Sequence, residues 1–196
     1  MLEEKNLKLA GWLSIVSAVL ALPMLVLGFI SGMVEDKSAA ILYLEALFST
    51  THAVMYAYVF LTLKRVLNQK ANFYEVDKYI IFMIWITIVI TAISVITLPF
   101  KGVQEMIGVG ALILLIPFGV IYVVFGIKLL NCKDNLFGYL KPFSYLAIAT
   151  GMMTAVVILV LLGMLTDIIS YVILAIIFFK SATLVQVQGA LESEQT

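Results

Sequence analysis

Apolar runs of membrane-crossing length recur six times along the chain, separated by short polar breaks. A helix needs about 20 apolar residues to cross the ~30 Å hydrocarbon layer. The pattern therefore predicts an all-α, polytopic integral membrane protein: one transmembrane domain filling residues 1–196, with spans at about 9–30, 39–63, 79–99, 106–127, 143–164 and 167–184. The breaks at 31–38, 100–105 and 165–166 are short, whereas those at 64–78 and 128–142 are longer and basic. The first run follows Lys5 and Lys8 and continues to Ile30, longer than the ~7–15 residues of a signal-peptide apolar region, so it reads as a retained first helix. Asp167 is expected to cap the outer start of the last helix, its carboxylate beside the positive dipole end.

Charge orients this zigzag. Lys5, Lys8, Lys64, Arg65, Lys70, Lys78, Lys128, Lys133, Lys141 and Lys180 fall on one side of the six predicted spans, and only Lys37 and Lys101 on the other. Cytoplasmic loops retain Lys and Arg, so the compact six-helix bundle is expected to have both termini in the cytoplasm and to lie in an inner or plasma membrane. An odd number of spans would break the partition.

Composition narrows the function classes. With 63% hydrophobic and 12% charged residues and a mean hydropathy of +1.13, a water-soluble core is excluded. Zero formal net charge gives no basic surface for nucleic acid. The single cysteine, Cys132, precludes an intramolecular disulfide and a thiolate metal centre. No Ser-His-Asp set, HExxH or P-loop is present, and no cofactor is indicated: a haem on His52 would need a second axial ligand from a Met or another chain.

Candidate chemistry concentrates in the second span, which carries the only histidine, His52, and the only carboxylate expected deep in a span, Glu45. Ionisable groups in hydrocarbon mark functional sites by default. Glu45, Ser49, His52 and Tyr56 follow at i, i+4, i+7 and i+11, one narrow stripe of a helix. Glu45 and His52 stand about 10 Å apart along the axis, too far to pair directly. Thr87, Thr91 and Ser94 make a matching stripe in the third span. Antiparallel helices place Thr87 level with His52, Thr91 with Ser49 and Ser94 near Glu45, which predicts contact between the second and third helices. The stripe reads either as stations for a proton or small cation or as hydrogen bonding between packed helices.

Small residues predict close packing elsewhere: Ala10, Ser14, Ser17, Ala21 and Gly28 on one face of the first helix, Gly108, Gly119 and Gly126 on the fourth, and Ala147, Gly151 and Thr154 on the fifth. Pro23 and Pro117 should kink the first and fourth. Minimal loops, small-residue faces and the lack of a complete reactive set point first to a non-enzymatic packing, assembly or accessory component of a membrane complex or homo-oligomer. A small proton- or cation-linked transporter or channel using Glu45 and His52 comes second, and an intramembrane enzyme or redox subunit third.

Overall fold

The computed structural model describes the backbone of residues 3–33, 39–97, 101–156 and 159–194. Of the breaks expected at 31–38 and 100–105, residues 34–38, with Lys37, and position 100 lie outside the described residues, as do the side chain of Lys101 and the surroundings of Gly28 and Gly108, whereas 31–33 and 101–105 are helical. The described chain is all-helical: α1 (Glu4–Met33), α2 (Ala39–Lys70), α3 (Asp77–Ile96), α4 (Lys101–Leu130), a 3-10 turn at Leu136–Gly138, α5 (Leu140–Ala155) and α6 (Val160–Glu194). Helix is the form in which so apolar a sequence satisfies its backbone within each segment. Four helices are apolar and long enough to cross a membrane within the described residues: Glu4–Leu27, Ala40–Lys70, Asp77–Ile96 and Val160–Gln188. In α4 the described apolar part is Leu114–Leu130, and α5 has 16 residues, a rise of about 24 Å.

Several boundaries differ from the expected ones: α1 starts at Glu4 and not 9, α4 at Lys101 and not 106, α5 ends at Ala155 and not 164, and α6 runs on to Glu194 and not 184. α2 continues to Lys70, so the first basic connection is confined to 71–76. α6 begins at Val160, so the turn expected at 165–166 lies inside a helix and Asp167 is two turns from the helix start, not at its cap. Gly163 followed by Thr166-Asp167 imitates a helix stop and a new N-cap. In the structure Gly163 instead makes room for α5: a Cβ there would lie 3.2 Å from Thr154 Oγ1 and 3.4 Å from Met153 Cβ. Thr166 donates its hydroxyl hydrogen bond back to the Gly163 carbonyl at 2.8 Å.

Each helix packs against its neighbours in sequence, and α1 packs against α6 to close the ring, with α2 also reaching α6. Short connections make consecutive helices antiparallel. The buried face of α1 is the expected one, Ala10, Ser14, Ser17 and Ala21. α4 and α5 approach most closely at Gly119 and Gly151, where an added Cβ on Gly119 would lie 2.6 Å from the Gly151 oxygen and 2.5 Å from the Ala155 nitrogen. Pro23 and Pro117 lie within continuous α1 and α4.

The two ends of the ring are unlike. At the end carrying the basic connections, Lys64 Nζ lies 3.3 Å from Asp77 Oδ2, Asn68 donates to the same carboxylate at 3.0 Å, and Lys70 donates to the Ser181 carbonyl at 3.0 Å. Lys180 lies 4.6 Å from the centre of the Tyr139 ring. Above this layer is the core of Phe60, Leu63, Met83, Phe125, Leu129, Phe143 and Phe178. Toward the other end burial stops: no residue of α2 from Ala40 to His52 and none of α3 from Trp85 to Thr97 is buried. The outer surface is apolar, with Trp12, Leu47, Val54, Trp85 and Ile169 all more than half exposed, the face helices turn toward lipid rather than water.

Candidate intramembrane site

Where the dense core ends, helices from around the ring turn polar side chains inward. Residues four apart share a helix face, and α2 presents His52 and Tyr56, α4 Phe118 and Tyr122, α5 Thr150 and Thr154, and α6 Gly163 and Asp167, with Thr87 from α3. Together they line a cavity of about 160 Å³. Tyr171, one further turn along α6 from Asp167, reaches His52: its Oη lies 3.3 Å from Nε2, and the rings meet edge to face at 5.8 Å.

The hydroxyls divide by what they bond. Tyr122 Oη donates to Asp167 Oδ1 across a long 3.5 Å, a weak contact beside the ~2.7–2.8 Å of a good O–H···O bond. Thr150 and Thr166 share a 2.7 Å bond between α5 and α6, and Thr87 donates to the Met83 carbonyl of its own helix at 2.9 Å. Tyr56 is buried, and its hydroxyl has no hydrogen-bond partner on the protein. Leaving a buried hydroxyl unpaired costs about 1–3 kcal/mol, so the Tyr56 hydroxyl carries an unmet polar demand beside the cavity rather than in it.

The sequence stripes are only partly brought together. His52, Tyr56 and Thr87 line the cavity. Glu45 and Ser49 are half-buried on α2 outside that lining, Thr91 lies in a separate groove, and Ser94 is exposed. α2 and α3 do pack together, but hydroxyls do not zip them: Ser94 donates to the Ile90 carbonyl at 2.9 Å and Thr51 to that of Leu47 at 2.8 Å. Helical Ser and Thr satisfy themselves on the preceding turn, so a polar stripe need not meet a partner stripe. Beside it, α2 and α3 instead leave an apolar groove of about 530 Å³ between Ala53, Val54 and Ala57 on one wall and Ile88, Ala92 and Ile96 on the other.

The sequence reading does not anticipate Tyr122, Tyr171 or Thr150 at this site, and it assigns Asp167 to a helix cap and Thr154 to a packing face. Their signal is present as Asp167-x-x-x-Tyr171 and Thr150-x-x-x-Thr154, polar pairs at helical spacing within apolar runs. Placing a turn at 165–166 puts Asp167 at the membrane surface and hides it.

Toward the basic end an aromatic layer floors the cavity. Tyr56 stacks on Phe60 at 4.3 Å, Phe60 meets Phe125 at 6.1 Å, and Phe125 meets Phe143 at 6.3 Å. No Lys or Arg lines the cavity; Lys64 is about 18 Å from His52 along α2 and Lys180 about 20 Å from Asp167 along α6, at 1.5 Å per residue. Among the described residues no group of three His, Cys, Asp or Glu side chains could hold a metal ion. Comparison with known protein families, with curated proteins and with solved structures gave no match.

Proposed function

We propose that the chain is a six-span protein of the cell membrane, both termini cytoplasmic, that moves protons or small cations through its central chamber. The observation that carries this reading is the convergence of His52 from α2 and Asp167 from α6 on one cavity. Ionisable groups inside a bundle mark ion and proton pathways, and two of them within one chamber can exchange a proton without a long relay. Tyr171 orients the imidazole through its 3.3 Å contact, and Tyr122 touches the carboxylate. Glu45, about 10 Å from His52 toward the loosely packed end, serves entry. The layer from Tyr56 to Phe143 is the barrier on the cytoplasmic side, so transport requires its rings to move.

The test is dissipation of a pH gradient in liposomes containing the full chain. Wild type is expected to dissipate it, His52→Ala and Asp167→Asn to abolish the flux, and Glu45→Gln to slow it. Wild-type liposomes as tight as empty ones would sink the transport reading. Topology is tested separately in a Cys132→Ser background: an impermeant maleimide added outside intact cells should label Ser38→Cys and not Lys133→Cys.

The α2–α3 groove favours a second reading, an assembly component of a homo-oligomer or membrane complex. Apolar and exposed, the groove has the form that a neighbouring helix or a lipid chain would fill. Val54→Trp and Ala92→Trp, at exposed positions on the two walls, should then shift the oligomeric state in detergent while leaving the monomer folded; an unchanged state removes this reading.

A further inference from the structure

We infer that the chamber's ligand is a small organic ammonium ion, an inference that rests on the cation-handling reading above and specifies its substrate. Four features of the cavity converge on this class.

The first is charge. Asp167 is the one carboxylate in the lining, no Lys or Arg accompanies it, and the site carries at most one negative charge when His52 is neutral. A single carboxylate suits a monovalent cation and repels anions. The second is the wall material. Tyr56, Phe118 and Tyr122 contribute three aromatic rings around that carboxylate, and Phe118 and Tyr122 are stacked at 6.0 Å on one face of α4. Aromatic rings attract ammonium groups through their quadrupole and accommodate the attached methyl or methylene groups, which a bare metal ion lacks.

The third is hydrogen-bond polarity. Thr87 donates its hydroxyl proton to the Met83 carbonyl of its own helix, which leaves its oxygen as an acceptor in the lining together with the Asp167 carboxylate, and acceptors suit the N–H groups of an ammonium ion. The fourth is size. A volume of about 160 Å³ leaves room for a cation of methylammonium to tetramethylammonium dimensions.

The experiment is calorimetric titration of the purified full chain in detergent with tetramethylammonium chloride. Tert-butanol, a neutral molecule of the same shape, and potassium chloride at equal ionic strength serve as comparisons. Saturable binding of tetramethylammonium, not reproduced by tert-butanol and not competed by potassium, is the expected result. Asp167→Asn, which keeps the side-chain shape, should weaken it about a hundredfold, and Phe118→Leu about tenfold. Glu75→Gln, on the connection at the basic end, should bind as wild type.

No saturable binding, an equal response to tert-butanol, or equal competition by potassium would overturn the assignment, and these wild-type measurements stand even if a variant fails to fold. Its failure is separable from that of the transport reading. Proton flux in liposomes without tetramethylammonium binding overturns the ligand class alone, whereas binding with neither proton flux nor tetramethylammonium uptake into the liposomes supports the ligand class and removes transport.

Discussion

At the scale of single residues, two buried tyrosines that both meet the His52 ring should behave oppositely when their hydroxyls are removed. Tyr171 gives up a contact with His52 Nε2, so Tyr171→Phe should cost about 1 kcal/mol, the net worth of a typical hydrogen bond. Tyr56 has no partner on the protein, so Tyr56→Phe should leave stability unchanged or raise it by up to about 1–3 kcal/mol, the cost of the unpaired hydroxyl it removes. Denaturation of the two variants in one detergent checks the contrast, and a larger loss in Tyr56→Phe than in Tyr171→Phe would contradict it. In the connection that follows α4, Cys132 is buried, and burial pushes its thiol above the usual range. Because the thiolate is the nucleophile, alkylation in folded protein should be slow at neutral pH and accelerate only at higher pH than for a free thiol. What the residue pattern made legible was rarity: a lone histidine in an apolar run points inward. Tyr122 and Tyr171 were not legible, since tyrosines in such a chain equally mark the membrane interface, and only the fold distinguishes the two.

At the scale of elements, the small-residue faces of α4 and α5 were readable from spacing, because without a hydrophobic drive between helices close approach depends on small side chains. Gly119 and Gly151 are the consequence, each leaving room only for backbone of the facing helix. Gly119→Ala and Gly151→Ala must therefore push the helices apart, at a cost of about 1–3 kcal/mol from overpacking. Gly110, on the same helix as Gly119, has open space within 4 Å of where a methyl group would stand, so Gly110→Ala should be neutral or stabilise by up to about 1 kcal/mol through helix propensity. Thermal unfolding of the three variants decides this, and equal effects at positions 110 and 119 would mean that α4 and α5 do not cross there. The α5–α6 boundary was not readable for a related reason. The residues around it, Ala155 to Leu165, are uniformly apolar, and the polar and glycine signals that usually mark a turn sit at 163–167, where they serve packing and the chamber instead.

At the scale of the whole molecule, the asymmetry between the two ends determines what the chamber can do. Buried aromatic and aliphatic side chains fill the ring on the basic side, while burial fades past His52 and Trp85 on the other. If the chamber conducts, it holds a gradient only while the packed basic side is intact. Phe125 is the keystone of its aromatic floor: it is fully buried and meets Phe60, Tyr122 and Phe143. Phe125→Ala should cost about 3–5 kcal/mol, the usual loss for emptying a buried ring site, and should also join the chamber to the basic end. Leu47→Ala, at an exposed position on the lipid-facing surface, controls for truncation without breaching the floor. In liposomes the expected result is a leak in Phe125→Ala that persists when Asp167→Asn is added, because water rather than the carboxylate then carries the protons. If Asp167→Asn still closes the Phe125→Ala leak, the proton path runs through the carboxylate even with the floor open, and the aromatic layer is packing rather than a barrier.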